Sequence, residues 1–193
     1  IGMELSVQSY AQFRKLGMET RLGSVINMSL VRELGPVLTA LLFAGRAGTS
    51  IAAEIGLMKA TSQIEAMQLM AIDPVQRIAL PRFLAGLLSL PLLTAMFNAF
   101  AILGAVMFSI GVMGLDPGIF WSKLQTGIYF GKDFMGGVWK SIVFGGLVSL
   151  VAVYFGYYAK PTGEGVGTAT TRTVVLSSVL VLVFDFIVTS FLI

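Results

Sequence analysis

The sequence predicts an all-α integral membrane protein, a polytopic helical bundle with four transmembrane helices. Hydrophobic residues make up 56% of the 193 residues, charged residues only 12%, and the mean hydropathy is +0.87. A soluble domain carries about 25% charged residues, so a soluble fold is disfavoured. The number of spans follows from four apolar stretches, each long enough for a hydrocarbon core of about 30 Å.

The four predicted spans are bounded by charged or turn-forming residues. They cover residues 28–48, 83–112, 138–159 and 174–193. The second is longer than a straight crossing needs, and it contains Pro91 and Asn98. These features predict a kink or an extension beyond the bilayer, and we expect a bend near Pro91.

Between the first two spans, residues 59–74 predict a short amphipathic helix that cannot cross the membrane. Ser62 and Glu65 fit a capping box at its start, and Asp73-Pro74 is predicted to end it. One face carries apolar side chains and the remainder is mostly polar. The apolar face holds Ile64, Met67 and either Met70 or Ala71.

Between the second and third spans, Asp116 and Pro117 have the pattern of an N-cap followed by proline at the first helical position. The helix that they open is rich in aromatic residues, including Phe120 and Trp121, and Tyr129 and Phe130 follow. Aromatic residues are enriched at membrane interfaces. This segment is therefore predicted to lie at a membrane surface.

The charge distribution does not decide the orientation in the membrane. Residues 1–28 and 114–140 hold six lysines and arginines, among them Lys140, while residues 49–82 and 160–173 hold five. A clear excess on one side would mark the cytoplasmic loops. With six against five, both orientations stay open.

The composition disfavours most enzyme classes and nucleic-acid binding. The chain has no cysteine and no histidine, which removes disulfides, thiolate chemistry and the commonest general base and metal ligand. No catalytic or metal-binding residue is predicted. The net charge of +3 is spread over single basic residues, so nucleic-acid binding is not expected.

A nucleotide-binding loop is also not predicted. The nearest match to a P-loop, residues 127–133, is one residue short and has Asp133 where a hydroxyl is required. Any ATP and Mg²⁺ would therefore be bound by another subunit, and no cofactor is expected in this chain.

Small residues recur every four positions along the first span and its extension. Such a stripe lets helix backbones approach closely, which drives helix association in lipid. It predicts packing within the chain or, alternatively, a homodimer seam or a cavity wall. The stripe consists of Ala40, Ala44, Gly48, Ala52, Gly56 and Ala60.

Charged residues in or beside the spans are the best site candidates, because a charge inside the bilayer needs water, protein or a partner charge. They are Arg32, Glu33, Arg46, Glu54 and Asp185. Arg32 and Glu33 precede Pro36, which removes a backbone donor. The pair predicts an interface anchor or the polar rim of a cavity for an amphipathic ligand. Asp185 predicts a structural partner for a basic residue of another span, or a protonated acid, with a proton relay as the alternative.

Several motifs together resemble the MlaE (MlaE/YrbE) family, the permeases of the Mla phospholipid transport system of Gram-negative bacteria. The resemblance extends over the whole chain. The motifs are Arg32-Glu-Leu-Gly-Pro-Val37, Phe43-Ala-Gly-Arg-Ala-Gly48, Ala53-Glu-Ile-Gly-Leu-Met58, Asp73-Pro74, Pro81-Arg-Phe83 and Ala169-Thr-Thr-Arg-Thr-Val-Val175.

The resemblance implies one permease domain over residues 1–193. Family members have an additional N-terminal interfacial helix and most of a first transmembrane helix, so the four spans are expected to be the second to fifth. It also implies a homodimer in the inner membrane, with an MlaF-like ABC ATPase, an MlaB-like STAS-domain protein, an MlaD-like MCE hexamer and phospholipid as partners.

The resemblance further assigns roles to residues. Arg32, Glu33, Pro36 and Arg46 are expected at the lipid cavity, and the helix around residues 62–72 is expected to be a cytoplasmic coupling helix. Its predicted ATPase contacts are Ser62, Glu65, Met67, Met70 and Asp73. An exposed Met67 and Met70 would suit a groove on a soluble partner.

The function predicted from the sequence is a non-enzymatic permease subunit that moves glycerophospholipid between the inner membrane and a periplasmic carrier and so maintains outer-membrane asymmetry. Two alternatives stay open. One is an ion-coupled secondary transporter that uses Asp185, and the other is a membrane scaffold that transports nothing.

Overall fold

The computed structural model describes residues 1–15, 17, 21–126 and 134–192, and their regular structure is helical. Among them four helices are long and apolar enough to cross a membrane, and they begin at Leu22, Val75, Met135 and Gly163. This confirms the predicted all-α polytopic architecture. The helices are α1 Gly2–Lys15, α2 Leu22–Ala60, α3 Gln63–Leu69, α4 Val75–Gly111, α5 Pro117–Thr126, α6 Met135–Tyr157 and α7 Gly163–Leu192.

The spanning helices extend beyond the apolar windows that predicted them. The longest, α2 with 39 residues and α4 with 37, measure about 55–60 Å at 1.5 Å per residue. A hydrocarbon core is about 30 Å thick, so both must tilt or continue outside it. The α-helix of α4 runs through Pro91, and the predicted bend there stays a prediction.

The chain divides into two compact units. Unit 1 comprises Ile1–Pro36 and Leu93–Trp139, and unit 2 comprises Val37–Leu92 and Lys140–Ile193. The core of unit 1 is built from α2, α4 and α5 around Leu22, Ile26, Ala105 and Phe120. The prediction of a single permease domain is not tested by this division.

The stripe of small residues in α2 packs inside unit 2. Ala40 and Ala44 are fully buried with Phe144 and Val148 of α6. A Cβ atom on Gly56 would lie 3.2 Å from Val166 of α7, so even alanine would require the valine to move by a few tenths of an ångström. Ala44, Gly48, Ala52 and Gly56 are therefore buried against other helices of the same chain.

Within the described residues, three π-helical segments of five residues each lie in the long helices. They are Leu30–Leu34 and Ala44–Gly48 within α2, and Val75–Ala79 at the start of α4. The first directly precedes Gly35-Pro36, and the amide of Gly35 donates to the carbonyl of Leu30, five residues back. Proline lacks the amide that would continue the α-helical pattern, so the helix widens here. Such segments are frequent at functional sites.

The predicted capping box of α3 is wrong. Ser62 has φ 56° and makes no side-chain capping hydrogen bond, whereas a capping serine normally has extended dihedral angles. The amide of Ser62 donates to the carbonyl of Lys59 instead. Ser62 therefore completes the end of α2, because the turn before α3 is too short for a separate N-cap.

The predicted role of Asp73-Pro74 as the end of α3 is also wrong. The helix ends at Leu69, and Ala71 with φ 58° then reverses the chain. The carboxylate of Asp73 accepts a hydrogen bond from the amide of Val75 at 2.9 Å, so it caps α4.

The predicted N-cap of α5 is confirmed. Asp116 Oδ1 accepts hydrogen bonds from the amides of Gly118 and Ile119, at 2.8 and 3.0 Å. Pro117 is the first residue of the helix. Phe120 faces the core of unit 1 and Trp121 is exposed. Tyr129, Phe130 and the rejected P-loop match at 127–133 lie outside the described residues.

Candidate functional site

Arg32 and Glu33 lie in the first π-helical segment, in unit 1. Arg32 Nε is 3.6 Å from Glu33 Oε1, and the two side chains are 24% and 35% exposed. They are therefore half-buried polar groups beside the apolar Leu30 and Val31, which are buried. This arrangement suits the rim of a polar opening in an apolar wall.

The residues that follow Arg32 and Glu33 pack closely against α4. A Cβ atom on Gly35 would collide with Asn98 Oδ1 and would lie 2.7 Å from the carbonyl of Leu30. Only glycine leaves space for the Asn98 amide at this point. Pro36, the next residue, is fully buried. Gly35 and Asn98 together hold the turn that carries Arg32 and Glu33.

A cavity of about 490 Å³ lies in the same unit. Two of its lining residues, Asn27 and Asn98, have amide oxygens without a hydrogen-bond partner among the described residues. Sequence reasoning used Asn98 only as a sign of a kink and did not select Asn27. The other lining residues are Val31, Ala95, Ala99, Ile102, Leu124, Gln125 and Phe134.

Arg46 lies in the second π-helical segment, in unit 2. Its side chain is exposed, and within the described part of the chain it has no ion pair. The adjacent Gly45 faces open space. A cation in a membrane-spanning helix needs water or another chain, so this face of α2 is a candidate surface for contact.

Lys140 and Asp185 form an ion pair between α6 and α7. Lys140 Nζ lies 3.1 Å from Asp185 Oδ1 and donates to Thr189 Oγ1 at 2.7 Å. Lys140 is 1% exposed. Its assignment to a loop in the charge count is therefore wrong, because it sits inside the bundle as the partner of Asp185. This is the structural pairing predicted for Asp185.

Glu54 also has a partner from another helix. Both of its carboxylate oxygens contact the guanidinium of Arg82 at the start of α4. The carboxylate side chain is 52% exposed, so the pair lies at the surface of unit 2. It joins α2 to α4 near α3.

The short helix α3 is anchored at one side only. Ile64 is buried against Ile55 and Ile78, and Met67 packs on the same cluster. The prediction that Met67 shares the apolar face with Ile64 is confirmed, but the prediction that it is exposed is wrong, because Met67 is half-buried on this cluster. The exposed apolar residues are Leu69, which was not selected, and Met70, at 89% and 63% exposure.

The remaining predicted coupling residues differ in what their side chains do. Glu65 is exposed on α3, and Ser62 is exposed at its start. Asp73 is exposed but accepts the hydrogen bond from Val75. Thus α3 presents Glu65, Leu69 and Met70 outward.

The six motifs lie within a stretch that matches one protein family. The permease MlaE family matches residues 1–191 of the chain. The chain belongs to the MlaE family. This confirms the resemblance read from the motifs.

Relatives within the MlaE family are similar over almost the whole chain. The intermembrane phospholipid transport system permease protein MlaE of Haemophilus influenzae is 46% identical, over 98% of this chain and 73% of that protein. A probable ABC transporter permease protein of Rickettsia typhi is 36% identical, over 99% and 73%. The chloroplastic protein TRIGALACTOSYLDIACYLGLYCEROL 1 of Arabidopsis thaliana is 31% identical, over 99% and 54%.

Membership of the MlaE family and the four spanning helices establish the class of the protein. It is a multi-pass membrane permease. Permeases of this family are not themselves enzymes.

Proposed function

We propose that the chain is the membrane-spanning subunit of an ABC transporter that moves glycerophospholipid between the Gram-negative inner membrane and a periplasmic carrier. The observation that carries this proposal is the family match over residues 1–191. It is supported by the phospholipid transport system named for the Haemophilus influenzae relative. In the cell this activity would maintain the lipid asymmetry of the outer membrane.

The proposed partners follow from the same system. A second copy of the chain completes the permease, and an MlaF-like ATPase binds the ATP and Mg²⁺. An MlaB-like STAS protein and an MlaD-like MCE hexamer complete the complex. The exposed Arg46 and the open space at Gly45 support a contact with a second chain at this face of α2.

The surface of α3 supports coupling to a soluble ATPase. Leu69 and Met70 are exposed next to Glu65, while Ile64 and Met67 anchor the helix to unit 2. A short helix with an anchored side and an apolar exposed side fits a groove on a partner protein. Closure of the ATPase would move this helix and change how the permease holds its lipid.

The Arg32–Glu33 pair supports a role for unit 1 in lipid binding. The two half-buried charges adjoin buried apolar residues. They can position a zwitterionic or anionic head group while the chains remain in an apolar environment. The ion-coupled alternative is less well supported, because its coupling acid, Asp185, pairs with Lys140.

The first experiment is purification of the full-length protein from its native membrane in mild detergent, followed by mass spectrometry of the proteins that accompany it. Recovery of a P-loop ATPase and an MCE-domain protein is the expected result. If the chain purified alone and still moved substrate in liposomes, the ABC proposal would be abandoned.

The coupling surface is tested by the double variant Leu69→Ser/Met70→Ser in the assembled complex. We expect the co-purified ATPase to fall at least about tenfold, because buried apolar anchors dominate such contacts. Gln68→Ser on the same exposed helix is the matched control. Unchanged ATPase recovery in the double variant would remove α3 from the contact.

A further inference from the structure

A polar cavity of about 280 Å³ lies in unit 2, where α6 ends and α7 begins. Two of its lining residues are basic: Lys160 in the connecting turn and Arg172 in α7. Both are exposed, and neither forms an ion pair within the part of the chain that the structure describes. The other lining residues are Phe155, Tyr158, Ala159, Thr162, Glu164, Gly165, Thr168 and Ala169.

The two basic residues lie at the boundary of the apolar segments. Lys160 directly follows the predicted span 138–159, and Arg172 precedes the predicted span 174–193 by two residues. The polar head groups of a bilayer lie just outside its hydrocarbon core. Lysine and arginine at this level attract anionic lipids. The cavity is therefore at the depth where lipid phosphates are found.

The turn that carries Lys160 is held by its own hydrogen bonds. Thr162 Oγ1 accepts from the amide of Gly165 at 3.1 Å, and Thr168 Oγ1 donates to the carbonyl of Gly165 at 2.9 Å. A Cβ atom on Gly165 would lie 2.4 Å from the carbonyl oxygen of Lys160, so the turn packs tightly on the start of α7. The two threonine hydroxyls thus shape the cavity wall, and the charged side chains remain for a ligand.

The charges of the cavity favour an anion. Glu164 is acidic, so the two positive charges and one negative charge of the described lining sum to +1. A net positive cavity at the membrane surface attracts a head group with a net negative charge. A zwitterionic head group that carries a quaternary ammonium would bring a further cation to Lys160 and Arg172.

Tyr158 joins this cavity to an apolar groove. The same side chain lines a second cavity, of about 470 Å³, between the start of α4 and the end of α6. Its ring lies 4.9 Å from the ring of Tyr154 and 5.6 Å from that of Tyr157. Tyrosine combines an apolar ring with a polar tip and is enriched at membrane interfaces. The other groove residues are Val75, Ala79, Leu80, Phe83, Leu150 and Val153.

The groove follows α6 from the head-group level into the apolar part of the helix. Leu150 and Tyr158 both line it, and they lie about 12 Å apart along the helix axis. This length accommodates the upper part of an acyl chain. The cavity and the groove therefore present a basic pocket and an apolar channel that meet at one side chain.

We propose that the cavity and the groove form a binding site for a retained anionic phospholipid. Lys160 and Arg172 bind its phosphate, and the groove takes one acyl chain. Exposed cations are usually only solvated, and any lipid chain can cover an apolar groove. Their junction at Tyr158 is what matches a molecule with an anionic head and an apolar chain. The proposal goes beyond transport, because this lipid stays bound to unit 2.

The test uses photoreactive lipids and the full-length protein in phosphatidylcholine nanodiscs. The probe is phosphatidylglycerol or phosphatidylcholine with the same diazirine-bearing acyl chain, and labelled peptides are mapped by mass spectrometry. We expect residues 75–83 or 150–158 to be labelled about fivefold or more strongly by phosphatidylglycerol, since one basic residue at a membrane surface gives about a fivefold preference. Residues 96–107 of α4, which expose Met96, Phe100 and Met107, are the internal reference and should be labelled equally by both probes.

The double variant Lys160→Gln/Arg172→Gln removes both cations, and we expect the groove to be labelled equally by the two probes. Lys15→Gln/Lys123→Gln is the matched control, because it removes two exposed lysines of unit 1 and the same net charge. It should keep the preference for phosphatidylglycerol. The charge-conserving variant Lys160→Arg/Arg172→Lys should keep it as well.

Equal labelling of the groove by both probes in the unaltered protein would overturn the proposal, and this comparison needs no variant to fold. So would a preference that survives the loss of both cations, or one that the control variant also loses. Excess inorganic phosphate should leave the preference intact, because a free anion has no chain for the groove. If phosphate abolished it, the cavity would be a site for soluble anions instead. None of these measurements depends on transport.

Discussion

The two units of the permease treat their polar residues differently. In unit 2 the buried Lys140 is matched by Asp185 and Thr189 of another helix, and Arg82 is matched by Glu54. In unit 1 the amide oxygens of Asn27 and Asn98 are buried without a partner in the described structure. Unit 2 thus pairs its buried charge between helices, while unit 1 buries two amide oxygens that have no partner among the described residues.

The unpartnered atoms of unit 2 are of another kind. Among the described residues they are all hydroxyls, on Thr39, Ser149 and Ser177, whereas unit 1 has one such hydroxyl, on Ser109, beside its two amide oxygens. A hydroxyl within a helix can turn toward a backbone carbonyl of its own preceding turn, whereas an amide oxygen cannot donate at all. The comparison teaches that unpartnered atoms differ by type: a hydroxyl can find an acceptor in its own helix, whereas an amide oxygen depends on a donor from elsewhere.

The largest expected effect concerns the ion pair that joins α6 and α7. Asp185→Leu leaves Lys140 buried without its counter-charge, and we expect a loss of about 3–5 kcal/mol in the free energy of unfolding. Thermal unfolding of the full-length protein in detergent measures it. The double variant Lys140→Met/Asp185→Leu should regain most of the loss. If the Asp185→Leu variant were as stable as the native protein, the buried ion pair would not stabilise unit 2, and the contrast with unit 1 would be refuted.

A smaller effect is expected where α2 packs closely on α4 at Gly35, in unit 1. Gly35→Ala places a Cβ against Asn98 Oδ1, and overpacking of this kind reduces stability by about 1–3 kcal/mol. Gly45→Ala, next to the other π-helical segment of α2, meets open space. It should be neutral or stabilising by up to about 1 kcal/mol, since alanine favours helices. The same unfolding assay compares the two, and similar stabilities would refute the role given to Gly35.

A charge reversal in the Arg32–Glu33 pair tests the role of the charged groups of unit 1. Glu33→Lys should reduce lipid transfer at least about threefold in the reconstituted complex, because it replaces the anion that faces Arg32 with a like charge. Glu4→Lys, an exposed carboxylate of α1 in the same unit, is the control. Full transfer by the Glu33 variant would assign the pair a purely structural role.

The smallest effect is expected at the surface of unit 2. Glu54→Gln weakens the contact with Arg82, but the glutamate is 52% exposed. Exposed ion pairs contribute about 0–1 kcal/mol, so the melting temperature should barely change. A loss of stability as large as that of Asp185→Leu would show that solvent exposure does not determine how much these ion pairs stabilise the protein.

The sequence predicts what depends on local chemistry. Hydrocarbon thickness requires about 20 apolar residues, and the four spans were found in this way. The cap at Asp116 depends only on the amides of the residues that follow it, so the local sequence is enough to predict it. The lengths of the spanning helices were underestimated, because backbone hydrogen bonding continues where hydropathy falls.

The predictions from the sequence fail where residues far apart in the chain contact each other. The charge count places Lys140 in a loop because its partner, Asp185, lies 45 residues further along the chain. The amphipathic pattern places Met67 on the apolar face of α3, but it does not show that the cluster of Ile55 and Ile78 partly covers this face. The cavity beside Asn27 and Asn98 needs α2, α4 and α5 together. No local pattern contains that information.

The π-helical segment Ala44–Gly48 has a consequence for the length of α2. Such a segment accommodates one residue more than the α-helical repeat, and each residue turns an α-helix by about 100°. Loss of one residue beyond the segment would rotate the remainder of the helix by that angle. Ala52 and Gly56 would then leave the helix contacts they occupy. Along this stretch, the number of residues therefore determines which side chains face the other helices of unit 2, as much as their identity does.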